Sequence, residues 1–354
     1  VKNIVFTGGG SGGHVMPAIT LIKELIPRED YTIHYIGGRN SIEKNLVADY
    51  DVVYKPIFTG KLRRYFSIEN FIDIFKIFLG MIQSFFILLK LPKKTLVFST
   101  GGFVSVPVVV AAKITGKKIY IHEQTSRVGL ANKICSKFAD KVFVSFEESL
   151  KFFPNHKTHF SGYPIRKECF DSSLHFEKFK NLNLKDSTKE LLFITGGGNG
   201  SLLLNNLIKD ELDFLKSKYN IIHQVGKAFI DEYQQLADES YIPVAFIGEE
   251  IVDIMKAASI IISRAGAGTV CELMALEKRS IFIPLKIAQK NEQYHNAMEA
   301  NKNLGSLVLS EDELKNLNVK TILETFEGSQ YQKKTAPKQE ATAYLVEQIE
   351  NSLS

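Results

Sequence analysis

Among the eight histidines of the chain, His14 has the best setting for acid–base chemistry. It directly follows the run Gly8-Gly9-Gly10-Ser11-Gly12-Gly13, where a strand-like stretch ends and a helical pattern starts. A glycine turn at a helix mouth lets a ligand meet backbone N–H groups and the positive end of the helix dipole. The dipole also favours a neutral imidazole, the form that accepts a proton. A second cluster reads Ser263-Arg264-Ala265-Gly266-Ala267-Gly268-Thr269-Val270-Cys271-Glu272. Its small residues allow close approach of a ligand, and Glu272, expected in the first turn of the following helix, could accept both hydroxyls of a ribose. Two further glycine turns, Gly101-Gly102-Phe103 and Gly196-Gly197-Gly198-Asn199-Gly200, also follow strand-like runs.

Several nucleotide chemistries are disfavoured. The spacing Gly8-x-Gly10-x-x-Gly13 matches a dinucleotide fingerprint, which expects a ribose-binding acid after the second strand. Here Tyr35-Ile36 runs into Gly37-Gly38-Arg39 instead. No Gly-Lys-Ser/Thr follows a glycine turn, so a P-loop NTPase is excluded. Asp49-Tyr50-Asp51 resembles a metal-binding Asp-x-Asp, but it precedes a strand and reads as a solvated turn. His122-Glu123-Gln124-Thr125 ends another strand, on the ligand side of a doubly wound sheet.

The elements that must position these residues alternate. Strand-like runs at 3–7, 32–36, 52–57, 95–100, 118–122 and 141–145 are separated by helical patterns such as Ala18–Leu25 and Val104–Lys113. After Gly162-Tyr163-Pro164 the pattern restarts, with strands near 191–195, 221–225, 244–247, 259–263 and 280–284 and a polar loop over 171–190. Alternation of this kind predicts α/β architecture with doubly wound parallel sheets. The strand–glycine turn–helix at Ile4–Leu25 is echoed at Leu191–Ile208, so the architecture is duplicated and the glycine turns suggest two halves sharing a polyphosphate ligand. Ala343, Leu345, Val346 and Ile349 mark a C-terminal helix that docks on one of the domains.

A length of 354 residues suits two domains, and 45% hydrophobic with 23% charged residues suits globular cores. Cys135, Cys169 and Cys271 have no metal or redox spacing and fit a reduced compartment. The first residues offer no signal-peptide core. Residues 1–100 carry 13 Lys/Arg against 8 Asp/Glu, which accounts for the whole net charge of +5. Residues 71–91 are the most apolar stretch, with Phe71, Ile74, Phe75, Phe78, Leu79, Ile82, Phe85, Phe86 and Leu89 on one helical stripe. The charge-free run Ile77–Leu89 has 13 residues, short of the roughly 18 that span a bilayer. A crossover helix would bury that main stripe against a sheet. Lys61, Arg63 and Arg64 before it, and Lys90, Lys93 and Lys94 after it, also suit a helix lying in an anionic membrane interface.

In order along the chain, Gly8–Pro17 (GGGSGGHVMP), Gly60–Tyr65 (GKLRRY), Gly101–Pro107 (GGFVSVP), His122–Lys133 (HEQTSRVGLANK), Gly162–Arg166 (GYPIR), Gly196–Gly200, Arg264–Glu272 and Gln293–Ala297 (QYHNA) resemble the MurG family. These are the peptidoglycan N-acetylglucosaminyltransferases that convert lipid I to lipid II. The resemblance implies a GT-B fold of two Rossmann-like domains, residues 1–163 for acceptor and membrane and 164–336 for UDP-GlcNAc, with a helix at about 337–354 returning to the first. It implies inverting transfer of GlcNAc from UDP-GlcNAc to the 4-hydroxyl of the lipid I muramoyl sugar, without a metal or other cofactor. It further implies peripheral attachment to an anionic surface, the cytoplasmic face of the bacterial inner membrane, with no nucleic-acid partner. Carried over by position, His14 is the catalytic base, beside Ser11, Gly12 and Gly13. Thr125, Arg166, Gly198, Ile247, Gly248, Ala267, Gly268, Thr269, Glu272 and Gln293 would bind substrate, with Arg166 or Arg264 facing the diphosphate. Thr125 and Tyr163 stand where the family usually has Asn, and Gly198-Asn199 where it usually has Ser-Gln. A glycosyltransferase of the same fold acting on diacylglycerol is the alternative.

Overall fold

The computed structural model describes residues 1–60, 68–186, 189–287, 291–329 and 340–354. It divides into two compact units, Val1–Ile165 with Gln339–Ser354, and Arg166–Lys338. In the first unit, strands β1 (Lys2–Thr7), β2 (Tyr31–Gly38), β3 (Val53–Ile57), β4 (Leu96–Ser99), β5 (Lys118–Glu123), β6 (Lys141–Val144) and β7 (Thr158–Phe160) form one sheet. Its order is β3-β2-β1-β4-β5-β6-β7 and every pairing is parallel. The central strands are apolar on both faces because helices cover both sides of a parallel sheet. Ile4, Val5, Phe6, Leu96, Val97 and Phe98 are all fully buried.

Five helices cross between these strands: α1 (Gly12–Leu25), α2 (Ile42–Leu46), α3 (Ile68–Leu89), α4 (Ser105–Ile114) and α5 (Leu130–Cys135). The second unit opens with a two-stranded antiparallel ribbon, β8 (Lys178–Phe179) and β9 (Leu182–Asn183), inside the stretch expected to be loop. Its six-stranded parallel sheet has the order β12-β11-β10-β13-β14-β15. The strands are β10 (Glu190–Thr195), β11 (Tyr219–Gln224), β12 (Tyr241–Val244), β13 (Ile260–Ser263), β14 (Ile281–Phe282) and β15 (Leu307–Val308). Helices α6 (Leu202–Lys209), α7 (Leu212–Lys218), α8 (Ile230–Gln234), α9 (Ile251–Ala257), α10 (Ala267–Ala275), α11 (Glu292–Leu304) and α12 (Val319–Gly328) complete it. The final helix, α13 (Ala341–Leu353), belongs to the first unit. Leu345, Val346, Ile349 and Leu353 join the cluster built by Ile19, Ile22 and Leu25 of α1, and Lys141 Nζ donates to Gln348 Oε1 at 2.7 Å.

Two expectations are corrected. The strand expected at 244–247 is Tyr241–Val244. Pro243 lies within it, which is compatible with a strand because β12 is at the sheet edge, where a missing N–H is tolerated. The second correction concerns α3, whose main apolar stripe does not pack on the sheet. From Asp73 onward its buried positions are Asp73, Gly80, Ser84 and Leu88, while Ile74, Phe75, Phe78, Ile82, Phe86 and Leu89 are exposed, and the Phe71 side chain lies outside the described residues. Close approach explains the inversion. A Cβ on Gly80 would stand 2.1 Å from the Phe58 carbonyl oxygen, and the Phe58 N–H donates to Gln83 Oε1 at 2.7 Å. Small residues therefore occupy the contact, and the bulky ones are left on the outer face. Met81, Phe85 and Ile87 pack against the core at its margin.

Candidate active site

In each unit the sheet order reverses beside its first strand, between β1 and β4 and between β10 and β13. Loops leaving the carboxyl ends of such strands open a crevice where ligands bind. In the first unit the two loops are tied together. The Thr100 N–H donates to Thr7 O at 2.8 Å and the Gly9 N–H to Gly101 O at 3.2 Å. The glycines divide by what surrounds them. A Cβ on Gly8 would meet Thr100 Oγ1 at 2.0 Å, one on Gly9 the Glu43 carboxyl at 2.5 Å, and one on Gly10 the Phe103 ring at 2.3 Å. Gly10 also has φ +87°, a conformation that disfavours other residues. Among the described residues a Cβ on Gly12 would meet nothing within 4 Å and one on Gly13 only Ser11 Oγ at 3.8 Å, so none of their packing demands glycine there. The start of α1 carries no side-chain cap and no acid in its first turn, which leaves it receptive to negative charge.

His14 sits on this first turn, and Gly102, at φ +80°, brings the β4 loop against it. Its Nδ1 lies 3.2 Å from Thr100 O and 3.2 Å from Gln124 Oε1. Gln124 Nε2 donates to His122 O at 3.0 Å and stands 3.3 Å from His122 Nδ1. His122 Nε2 is 3.1 Å from Gly162 O. Burial pushes the His122 imidazole down to about 4, so it is neutral at physiological pH. Tyr163, in place of the expected Asn, sets its ring edge-on to His122. Glu123 is a buried hub: Oε1 accepts from the Thr125 N–H at 3.1 Å, and Oε2 accepts from the Gly129 N–H at 3.2 Å and Asn132 Nδ2 at 3.1 Å. The Thr125 hydroxyl faces inward, between Glu123 Oε1 and Arg127 O. Ser11, Gly12, Gly13, His14 and Thr125 thus lie on loops of one unit.

The second unit holds the other expected residues. α10 begins at Ala267 with Gly266 as an uncapped N-cap, so the amides of Ala267, Gly268 and Thr269 form its opening turn. Glu272 lies one turn further along than expected, because the helix starts after Gly266 and its first turn carries no acid. Its Oε1 accepts from Arg166 Nε at 2.8 Å. Of the two arginines expected at a diphosphate, Arg264 has its charge balanced by Glu311 at 2.7 Å and also donates to Ile283 O and Ser201 Oγ. It braces loops of this unit. α6 is capped by its own Ser201 side chain, so the third glycine turn does not lead to an open helix start. Gly200 there has φ +73°, and a Cβ on it would stand 1.9 Å from Val225 O, whereas Gly198 has only the exposed Phe246 ring nearby, at 3.8 Å.

Two glutamines tie these segments. Gln224 Nε2 donates to Gly197 O at 2.8 Å and its Oε1 accepts from the Ile247 N–H at 3.0 Å, joining the Gly198 turn to Ile247–Gly248. Gln293 Oε1 accepts from the Ala265 N–H at 3.2 Å and the Leu285 N–H at 3.0 Å, which leaves its amide N–H groups to donate.

The chain matches the glycosyltransferase family 28 N-terminal domain over residues 4–144 and the glycosyltransferase family 28 C-terminal domain over residues 191–349. It is 41% identical over 320 residues to a Clostridium botulinum protein named UDP-N-acetylglucosamine–N-acetylmuramyl-(pentapeptide) pyrophosphoryl-undecaprenol N-acetylglucosamine transferase, covering 90% of this chain and 89% of that one. The chain belongs to the MurG family. A Clostridium tetani relative of the same name is 41% identical over 314 residues, 88% of this chain and 86% of its own. Among solved structures, Acinetobacter baumannii MurG superposes with a TM-score of 0.67 at 22% identity, over 99% of this chain and 100% of that one. A UDP-GlcNAc 2-epimerase from Methanocaldococcus jannaschii gives 0.60 at 11% identity, over 99% and 100%. Both show the GT-B fold, and the clostridial identity makes this chain a glycosyltransferase of the MurG family.

The sequence reading missed Glu43, Gln124 and Gln224 as organisers. Glu43 is fully buried on α2 and reaches back to the first glycine loop, where its oxygens accept from the Gly10 N–H at 3.3 Å and the Gly38 N–H at 2.8 Å. A carboxylate therefore does stand at the end of β2, supplied by the next helix. Its only signal in the sequence was an acid shortly after Gly37-Gly38. Calorimetry distinguishes these glycines: Gly10→Ala lowers Tm by about 2–8 °C, and Gly12→Ala leaves it within about 1 °C. The reverse order would show that the open space at Gly12 has been misread.

Proposed function

We propose that this enzyme transfers GlcNAc from UDP-GlcNAc to the 4-hydroxyl of the muramoyl sugar of lipid I, forming lipid II. The observation that carries this reading is the 41% identity to the clostridial transferases of that name, across 90% of the chain. The acceptor oxygen attacks the anomeric carbon as the bond to the UDP oxygen breaks, with inversion. The electron pair leaves with UDP, and the hydroxyl proton passes to His14. The imidazole at an uncapped helix start, with its Nδ1 held by Thr100 O and Gln124, suits that role.

For the donor, the open turn of α10 and the Arg166–Glu272 pair are the supporting features. Backbone amides of Ala267, Gly268 and Thr269 meet the diphosphate, whose growing charge such preorganised dipoles stabilise. Glu272 accepts from the ribose hydroxyls, Arg166 holds its carboxylate in place, and Gln293 donates through its amide. Gly198, Ile247 and Gly248 line the base, beside the exposed ring of Phe246.

The enzyme meets its lipid-linked acceptor at an anionic membrane surface through α3, on the cytoplasmic face. No helix among the described residues is long and apolar enough to cross a membrane. The outer face of α3 supports an interfacial reading, with Phe75 61% and Phe86 57% exposed. Lys90, Lys93 and Lys94 lie exposed at its end, and Lys61, Arg63 and Arg64 fall outside the described residues. Each cation near an anionic leaflet adds about 1 kcal/mol.

Transfer and UDP release are measured with UDP-GlcNAc and either a lipid I analogue or diacylglycerol, and turnover on diacylglycerol alone would overturn the acceptor. In that assay His14→Ala lowers kcat by about 10²–10⁴-fold with UDP-GlcNAc binding nearly intact, and near-normal turnover would exclude it as the base. Glu272→Ala raises KM for UDP-GlcNAc by about ten- to a hundredfold, and an unchanged KM would remove the ribose role. Sedimentation with phosphatidylglycerol vesicles falls with added salt and is lost in a Phe75→Ser, Phe78→Ser, Phe86→Ser variant, whereas undiminished binding would refute the α3 surface.

A further inference from the structure

His14 has two ring nitrogens, and general-base chemistry needs a lone pair on the one that reaches the acceptor. The hydrogen bonds around it determine which nitrogen that is, starting from a group with no choice. Gly162 O can only accept, so His122, kept neutral by burial, must carry its proton on Nε2, 3.1 Å away. Nδ1 of His122 then holds the lone pair and accepts from Gln124 Nε2 at 3.3 Å. The second N–H of that amide goes to His122 O at 3.0 Å. Both donors of Gln124 therefore face His122, and a flipped amide would set oxygen against a carbonyl oxygen. The Gln124 oxygen is left facing His14 Nδ1, which also faces Thr100 O. Two acceptors around one nitrogen require a proton on it.

We propose that Gln124 is a positioning residue that holds His14 as the Nδ1–H tautomer, with the lone pair on Nε2 directed at the acceptor. Among the described residues Nε2 has no hydrogen-bond partner. This deepens the assignment of His14 as base and rests on it. In the transfer, the acceptor hydroxyl proton moves to Nε2 as the new glycosidic C–O bond forms and the C–O bond to UDP breaks with its electron pair. The resulting imidazolium keeps both protons, and its Nδ1–H is held by two neutral oxygens. Among the described residues no carboxylate occupies the place that an acid fills in a Ser-His-Asp triad. The nearby acids are otherwise engaged: Glu123 organises the 125–132 loop, and Glu43 holds the Gly10 and Gly38 amides.

Nitrogen-15 NMR of the histidine rings in the full chain tests this, with His14→Ala supplying the assignment. His14 is expected to show a protonated Nδ1 and a bare Nε2 near neutral pH. Gln124→Ala releases the ring toward the Nε2–H form and lowers kcat about tenfold, with KM for UDP-GlcNAc unchanged. Gln124→Glu puts a carboxylate at Nδ1 and moves the acid limb of kcat/KM to higher pH. A wild-type His14 protonated on Nε2, a tautomer indifferent to Gln124→Ala, or a pH profile unmoved by Gln124→Glu would each overturn the proposal. The two assignments fail separately: a correct tautomer combined with a fully active His14→Ala would sink the base and leave the relay standing.

Discussion

The pairing of β1 with β4 is the constraint on which the first unit's site depends. Two neighbouring parallel strands release their chains at one level, and the Thr100–Thr7 and Gly9–Gly101 bonds continue the ladder past the sheet edge. The loops then lie so close that a side chain on Gly8, Gly9 or Gly102 would collide with the neighbouring loop or its supports. That tightness puts Thr100 O beside the His14 ring and brings the end of β5, with Gln124, within reach. Rigidity of this kind is what an active site needs, since a base displaced by 1 Å loses much of its effect.

The second unit repeats the scaffold and uses it differently. Its glycine turn is consumed by packing at Gly196 and Gly200, and the helix after it is capped from within by Ser201. The open helix start has moved to α10, behind β13. Glutamine side chains, which can donate and accept at once, tie four loops of this unit in pairs through Gln224 and Gln293. Arg264 and Glu311 add a largely buried ion pair to the same frame.

Much of this was legible from residue types because the signals are local. Glycines at the ends of apolar runs betray strand–turn–helix units, and His14 and Glu272 stand next to such turns. The duplicated α/β layout followed from alternation alone, and the motif order pointed to the family. What stayed hidden acts over distance or against the usual rule. Gln124 reaches a ring 110 positions away, and Glu43 an amide 33 positions away. The packing face of α3 stayed open between a sheet and a membrane interface because bulk is the usual cue for burial, whereas the contact selects the small Gly80 and Ser84. The strand expected near 244–247 was found but placed a few residues late, since the bounds of so short a strand are set by its neighbours in the sheet.

Glu43 carries one more implication. In dinucleotide-binding relatives of this scaffold, the acid at the end of the second strand turns outward to greet a ribose. Here it turns inward, and Tyr54 closes the same corner by donating to Gly38 O at 2.6 Å. A side chain added at Gly9 or Gly37 would strike this plug. In the first unit the corner at the end of β2 is thus filled by the chain's own side chains. The two sheets share a topology but not this corner: a ribose placed on the first unit as it is in those enzymes would meet Glu43 and Tyr54 instead of space.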